Sequence, residues 1–175
     1  MLLLEKARQM VAPYYQDKDI MHDFSHIERI LSLALEIGQA YDYDEELLQL
    51  GAYFHGMIYV AEAEVVQFLT AEGVAADRVK KVVEIAWGSQ KEETTESIEG
   101  KILHDAHLLE GGKTFFIVKS LVTGTARGQT LEQTLTYIDQ RVIGQFRCLL
   151  PASQAIFEEK ETFTKAFLSD LRQHL

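Results

Sequence analysis

Apolar residues recur three and four positions apart through most of this chain, and only two prolines, Pro13 and Pro151, interrupt the pattern. This spacing places apolar side chains on one face of an α-helix, whereas a half-buried strand would show alternation. We therefore predict an all-α fold. Because 175 residues, 47% of them hydrophobic, suffice for one good core but not for two, we expect a single domain over residues 1–175 with about seven to nine helices.

Capping signals give the expected helix ends. The sequence SHIE is a capping box that makes Ser25 the predicted N-cap of the second helix. Asp44 is expected to cap the third helix, and Gly56 to end it just past His55. The other helices are predicted at about residues 2–11, 62–72, 77–87, 95–110, 114–125, 131–149 and 152–171, and the last two meet at Pro151.

The charge balance excludes some classes of partner. The chain has 27 acidic and 17 basic residues, a formal net charge of -10, and no cluster of Lys and Arg that could follow a phosphate backbone. A single cysteine, Cys148, excludes an internal disulfide framework, and Glu5 interrupts the opening MLLLEKARQM before it could form a signal segment or a membrane span. We expect a cytoplasmic protein with neither a membrane nor polymeric nucleic acid as partner.

One carboxylate is predicted to be buried. In the sixth helix Ile98, Ile102, Asp105 and Leu109 fall on a single stripe, so Asp105 points where the aliphatic side chains point. A buried, ionised carboxylate needs a partner, because desolvation disfavours its charged form. A cation, a metal ion or several hydrogen-bond donors are therefore expected to meet Asp105.

The two histidines beside Asp105 are predicted to face elsewhere. Each helical residue turns the chain by about 100°, so His104 and His107 project roughly 100° and 200° away from Asp105. We expect both to face the flank of the helix or solvent. The dipeptide formed by His104 and Asp105 is then a coincidence of adjacency.

Two other histidines are open to two interpretations each. His26 lies in the first turn of the second helix, where it is either a surface residue or a ligand. His55 ends an apolar helix, where a neutral imidazole bonded to a backbone carbonyl is the common alternative to a ligand. Taken together, two imidazoles and the buried carboxylate of Asp105 form a set that could bind one divalent cation and leave positions for water.

Three stretches, HDFSHIERI, LGAYFHGMI and IEGKILHDAHLLEGG, follow one another in this order, and IFEEKETFTKAFLSDL closes the chain. Their order and separations resemble the HD-domain superfamily of metal-dependent phosphohydrolases over nearly the whole chain. By this resemblance His26 matches the first histidine, His55 the histidine of the His-Asp doublet, and Asp105 the final aspartate. Gly56 stands where the doublet has its aspartate, and the residue two beyond the last aspartate, often acidic in relatives, is His107.

The resemblance implies a metal site and a reaction. His26, His55 and Asp105 would hold one divalent ion (Mn, Fe, Ni, Zn or Mg), weakly bound or absent because of Gly56, and Asp105 would also be a catalytic residue. A second metal is not expected, since MIYVAEAEVVQF and EIAWGSQKEE lack the further histidines that relatives use. The implied reaction is hydrolysis of a phosphate ester in a nucleotide or another small phosphorylated metabolite, and a homodimer is left open.

Two further expectations depend on this resemblance. Lys113, Lys119 and Arg127 are candidates for neutralising phosphate, with solvated surface charge as the alternative for each. The rival function is a catalytically inactive HD-fold protein that serves as a small-molecule sensor or an interaction module, or as a plain helical scaffold with structural histidines. Fold alone does not decide between these classes.

Overall fold

The structure, a computed structural model, describes residues 1–90, 93–173 and 175, and within these ranges the fold is all-α with no strand. Its helices are α1 (Leu3–Val11), α2 (Phe24–Gly38), α3 (Glu45–Phe54), α4 (Ile58–Ala71), α5 (Ala76–Gly88), α6 (Ile98–Leu109), α7 (Gly112–Ala126), α8 (Leu131–Arg141) and α9 (Pro151–Gln173), and a 3₁₀ turn (Ala12–Tyr15) follows α1. None of the described helices has the length and apolar character needed to cross a membrane.

The main core lies among the first six helices. α2 packs against α6, and α3 packs against α5, so that Ile27, Leu48 and Ile102 are fully buried. Burial of large aliphatic side chains stabilises such a bundle by about 25 cal/mol for each Å² removed from water. A smaller apolar cluster, which includes Leu135 and Leu168, joins α8 to α9, and α7 packs against both of these helices.

Several predicted helix boundaries were wrong, among them the start of α4, which is Ile58 and not residue 62. Asp23, not Ser25, is the N-cap of α2, and its carboxylate accepts a hydrogen bond from the Ser25 backbone N–H at 3.0 Å. The helix predicted over 131–149 ends at Arg141. Gly144 then has φ of 73°, a left-handed conformation that glycine adopts without steric cost and that a continuing helix does not allow. Residues 142–150 lie between α8 and α9 and turn back toward α6.

The bundle brings three helix ends to one place. His26 lies in the first turn of α2, His55 directly follows α3 as its C-cap residue, and His107 lies in the last turn of α6. Side chains at helix ends can approach one another without the helix backbones having to do so. Lys119 and Thr123 of α7 face the same region.

Candidate metal centre

Three histidines from three helices converge in the structure. His26 and His55 are buried and His107 is half-buried. One ring nitrogen of each lies within 4.8 Å of those of the other two. The ring centroids of His55 and His107 are 4.4 Å apart, and those of His26 and His107 are 5.7 Å apart. We call His26, His55 and His107 the three-histidine group.

The tautomer of His55 follows from its neighbour. Its Nδ1 lies 2.6 Å from the hydroxyl of Ser89, and that hydroxyl already donates its only hydrogen to the Ala86 carbonyl. The hydroxyl must therefore accept from Nδ1–H of His55. This places the lone pair of the ring on Nε2, the atom with which a histidine held in this way binds metals.

Nδ1 of His107 also faces an acceptor, and Nδ1 of His26 faces a carboxylate. Nδ1 of His107 lies 3.1 Å from the backbone carbonyl of Ser89, which can only accept. Nδ1 of His26 lies 3.0 Å from the Glu110 carboxylate, which also accepts only when ionised. The rings of His55 and His107 thus donate through Nδ1 to a protein acceptor and carry their lone pairs on Nε2, whereas Nδ1 of His26 also lies 3.3 Å from the Lys119 ammonium. The orientation of His55 and His107 is the one expected of histidines prepared as metal ligands.

Glu110 is the centre of a buried charge cluster. It is 3% exposed, and its carboxylate also accepts hydrogen bonds from Arg29 at 2.7 Å and from Lys119 at 2.6 Å. Burial alone would raise the pKa of Glu110, but the hydrogen bond from His26 and the nearby ammonium of Lys119 lower it well below its usual range. Glu110 is therefore ionised when the protein is folded, as its role as acceptor requires.

His26 is held in its neutral form by the same surroundings. Burial lowers its pKa, and the nearby ammonium of Lys119 lowers it further, although the hydrogen bond to Glu110 acts in the opposite direction. Burial likewise lowers the pKa of Lys119. Since a metal ion binds the neutral imidazole, these shifts favour the form of His26 that can be a ligand.

Asp105 is buried as predicted, but the structure gives it other partners. It is 0% exposed, and its two carboxylate oxygens accept hydrogen bonds from the backbone N–H groups of Leu149 at 2.7 Å and Leu150 at 2.9 Å. The group of possible metal ligands found among the described residues contains His107 and not Asp105. Ligation or catalysis by Asp105 therefore stays a prediction, while its observed contacts hold the segment that leads into α9.

The expectation that His104 and His107 face solvent or the flank was wrong for His104. His104 is 2% exposed, and its Nδ1 lies 3.1 Å from the Asp105 carboxylate. Because α6 is covered on several sides, most of its residues from Gly100 to Leu109 are buried. A single apolar stripe therefore does not identify the only buried face of this helix. His104 supports Asp105, whereas His107 reaches the three-histidine group.

Several residues of the site could not be predicted from the sequence. His107, Glu110 and Ser89 have no signal in the spacing of apolar residues. The one available signal for His107 was its place two residues after Asp105, where relatives often have an acidic residue. Ser89 and Glu110 act through Nδ1 of the ligands, and such partners come from loops and neighbouring helix ends that sequence alone does not bring together.

Tyr15 fills the space beside Gly56. A Cβ atom placed on Gly56 would overlap the Tyr15 hydroxyl and lie 2.9 Å from Cζ, the carbon that carries it. The φ angle of Gly56 is not positive, so the glycine is required here by the close approach of Tyr15 and not by backbone conformation. The position that a doublet aspartate would occupy is thus taken by a phenol from the 3₁₀ turn.

A cavity of about 300 Å³ opens beside the three-histidine group and is lined by Tyr15, His22, Gly56 and Arg127 among others. A neighbouring cavity of about 260 Å³ shares His22, His107, Thr123 and Arg127 with it and adds aromatic side chains, among them Tyr137 and Phe146. The two cavities together form a cleft of ligand size along α7.

The three cations predicted to neutralise phosphate have different surroundings. Lys113 pairs with Glu159 at the exposed surface, 3.0 Å away. Lys119 borders the site but is engaged by Glu110. Arg127 lines both cavities, and its guanidinium lies 5.9 Å from the ring centroid of Tyr137. Of the three, only Arg127 is placed to meet an anion in the cleft.

The donor set fits a divalent transition metal. Three imidazoles are ligands typical of Zn²⁺, Fe²⁺ or Ni²⁺, with Mn²⁺ as a weaker binder, and such sites keep further positions for water or substrate. A tetrahedral ion with metal–nitrogen bonds of about 2.0–2.1 Å needs donors roughly 3.4 Å apart. The observed spacing of up to 4.8 Å is therefore wide and would have to close by small side-chain rotations.

No protein-family model matches this sequence, and no curated protein matches it. Solved structures do match it over almost its full length. YpgQ from Bacillus subtilis in complex with ADP has a TM-score of 0.77 at 20% identity, covering 98% of this chain and 97% of that one. An HD-superfamily hydrolase from Bacillus thuringiensis has a TM-score of 0.76 at 18% identity, covering 98% and 95%. A protein from Lactobacillus plantarum has a TM-score of 0.82 at 15% identity, covering 99% and 98%. The chain has the HD-domain fold.

Proposed function

We propose that this chain is a metal-dependent phosphohydrolase whose single metal ion is held by His26, His55 and His107. The observation that carries the proposal is the convergence of three imidazole rings from three helix ends, with one ring nitrogen of each within 4.8 Å of those of the other two. The HD-domain fold of the chain supports the same conclusion.

The ligand set narrows the range of metals. Mg²⁺ prefers oxygen ligands in octahedral geometry, so it is excluded from the proposal, whereas Mn, Fe, Ni and Zn remain. When bound, the ion polarises a phosphoryl oxygen and lowers the pKa of water toward neutrality. Three neutral ligands leave the full positive charge of the ion, which favours an anionic substrate. A homodimer stays a prediction.

The protein's own residues would bind and orient the substrate. Glu110 fixes the ring of His26, and Ser89 fixes the rings of His55 and His107, so that the ligands are held before a metal arrives. Arg127 lies on the wall shared by the two cavities, where its guanidinium can bind phosphate oxygens with two parallel hydrogen bonds. Asp105 supports the site indirectly by holding residues 149 and 150.

A nucleotide is the proposed substrate class. The YpgQ structure that matches this chain was solved with ADP. In this chain the cavity next to the three-histidine group contains Phe116, Tyr137 and Phe146, aromatic rings that can pack against a base. A phosphate at the metal and a base against these rings would place Arg127 between the two parts of the substrate.

The test is an assay of phosphate release from a panel that contains ADP, other nucleotides and a simple phosphomonoester. The protein is first loaded with Mn²⁺, Ni²⁺ or Zn²⁺. We expect metal-dependent turnover that is lost in His107→Ala and reduced about tenfold or more in Arg127→Gln, because a hydrogen bond to a charged phosphate is lost. Arg141→Gln is the control, since Arg141 is also exposed but lines neither cavity.

The rival function makes a different prediction in the same experiment. A catalytically inactive sensor would bind a nucleotide, with a loss of affinity in Arg127→Gln, but would release no phosphate with any of the three metals. Binding without turnover across the panel would therefore favour the sensor, and our proposal would be wrong.

A further inference from the structure

Tyr15 has a buried hydroxyl that no described residue satisfies. The residue ends the 3₁₀ turn after α1 and is 4% exposed, and its Oη has no hydrogen-bond partner among the described residues. Buried polar groups are almost always paired in folded proteins, because an unpaired one loses its hydrogen bonds to water without replacement. Such a group at the wall of a cavity indicates that its partner is a ligand.

The position of this hydroxyl is defined by Gly56. The phenol occupies the space into which a side chain at position 56 would extend, next to the ligand candidate His55. Tyr15, Gly56 and the three-histidine group all line the same cavity. A polar atom therefore still lies beside His55, although the adjacent residue in sequence has no side chain.

The chemistry of the phenol differs from that of a carboxylate. The pKa of Tyr15 is raised well above its usual range, chiefly by burial and also by Tyr14, while the Gly56 backbone amide acts in the opposite direction. The hydroxyl therefore keeps its proton at neutral pH. A neutral phenol donates a hydrogen bond and adds no negative charge, whereas a carboxylate accepts and would repel an anion.

We propose that Tyr15 takes the place of the missing side chain at position 56 and donates its hydroxyl hydrogen to an anionic oxygen of a phosphate group bound at the three-histidine group. The inference rests on the proposed function, because it assumes that a phosphate binds there. It makes Tyr15 a substrate-binding residue and not a metal ligand.

The test compares Tyr15→Phe with the parent protein by calorimetry, with Mn²⁺ as the metal and inorganic phosphate as the probe. The variant keeps the ring and loses only the hydroxyl. We expect the affinity of the Mn²⁺-loaded protein for phosphate to fall about tenfold or more, as is typical of a lost hydrogen bond to a charged group. The affinity for Mn²⁺ itself should stay within about twofold.

A measurement on the metal-free protein separates this role from a structural one. Since the hydroxyl has no hydrogen-bond partner in the part of the chain that the structure describes, its removal should leave the melting temperature unchanged or raise it. Tyr14→Phe is the matched control, because Tyr14 lines the same cavity but does not occupy the space beside Gly56. It should change neither phosphate affinity nor Mn²⁺ affinity.

The possible failures can be told apart. If Tyr15→Phe binds phosphate as tightly as the parent, Tyr15 is not a phosphate ligand, and the proposed function still holds. If the variant binds Mn²⁺ much more weakly without phosphate, Tyr15 is a metal ligand and the donor role is wrong. If the parent protein binds neither Mn²⁺ nor phosphate, the proposed function fails and this inference fails with it.

Discussion

Helix α6 presents two polar residues, two positions apart, to two different surroundings. Asp105 points toward the segment before α9, where two backbone N–H groups meet its carboxylate. His107 points toward α2 and α3, where its ring lies near two other imidazoles and its Nδ1 donates to the Ser89 carbonyl. Both residues are needed to satisfy neighbours, but only His107 borders a cavity.

The two faces of α6 differ in the groups that meet Asp105 and His107. The Asp105 oxygens each accept from a backbone amide, and His104 approaches as well, so the carboxylate functions as a cap for residues 149 and 150. The bond of His107 to Ser89 instead orients the other side of its ring. A buried carboxylate is therefore weak evidence for a metal site until its partners are known.

The largest effect on stability is expected for substitutions of Asp105. Asp105→Ala should lower the free energy of unfolding by about 3–5 kcal/mol, because two buried backbone N–H groups lose a charged acceptor. Asp105→Asn should cost less, since its one carbonyl oxygen still accepts from one amide. Chemical denaturation measures both, and Asp170→Ala, at an exposed carboxylate of α9, is the control.

A cost below about 1 kcal/mol for Asp105→Ala would contradict the structural role that we assign to it. Such a result would make ligation by Asp105 the better explanation for its burial.

The next largest effect on stability is expected for a substitution of Gly56, the residue that follows His55. Gly56→Asp should destabilise the protein by about 2–3 kcal/mol, because the new side chain displaces the buried Tyr15 ring. In a Tyr15→Ala background the added cost should nearly vanish, and the restored carboxylate should then tighten metal binding about tenfold or more. Thermal unfolding and Mn²⁺ titration are measured for the parent, Gly56→Asp, Tyr15→Ala and the double variant. The difference between the double variant and the sum of the single variants gives the coupling between the two positions.

Gly51→Ala provides the control for that cycle. A Cβ on Gly51 would overlap Ile85 in the core and does not approach Tyr15. Its cost should therefore add to that of Tyr15→Ala without coupling. If Gly56→Asp is also additive with Tyr15→Ala, the two side chains do not compete for one space.

The fold class could be predicted from the sequence because an amphipathic helix depends on the local spacing of apolar residues. The all-α class is confirmed, and the predicted segments correspond to the observed helices. The errors lie at helix ends, whose positions depend on single residues. The N-cap of α2 is Asp23 and not Ser25, and α8 ends at Arg141. The turn that follows α8 depends on Gly144, whose effect the apolar spacing does not reveal.

The site was only partly accessible from sequence. Burial of Asp105 is a matter of one helix and could be predicted, and so could the approximate positions of His26 and His55 at helix ends. The partner of a buried group depends on which distant segment packs against it. For Asp105 that segment is residues 149 and 150, the first of which was predicted to end a helix that in the structure already ends at Arg141.

A smaller effect tests how the ligands are oriented. Ser89→Ala removes the acceptor of His55 Nδ1 but keeps the backbone carbonyl that accepts from His107. We expect a fall in metal affinity of about tenfold, which is typical for loss of a hydrogen bond to a ligating histidine. Ser120→Ala, whose hydroxyl donates to the Phe116 carbonyl, is the control. Equal affinities in both variants would contradict our tautomer for His55.

The smallest effect is a pH dependence of the metal-free protein. Burial lowers the pKa of His26 and His22 below the ordinary value of 6.5, so between the folded and unfolded pKa values the unfolded chain binds more protons. Stability is therefore fully present above about pH 6.5 and is lost as the pH falls below it. Melting temperatures from pH 7.5 to 5 should decrease, less steeply in His26→Gln. A parent protein that becomes more stable over this range would contradict the signs of these shifts.

The proposal that the metal binds at His107 and not at Asp105 is tested most directly by equilibrium titration of metal into two variants of α6, His107→Ala and Asp105→Asn. Mn²⁺ and Ni²⁺ are titrated by calorimetry under conditions in which both variants are folded. We expect that His107→Ala loses affinity by at least about 100-fold, whereas Asp105→Asn stays within about threefold of the parent protein. The opposite result, with metal lost in Asp105→Asn and kept in His107→Ala, would show that the metal centre is built on the other face of this helix.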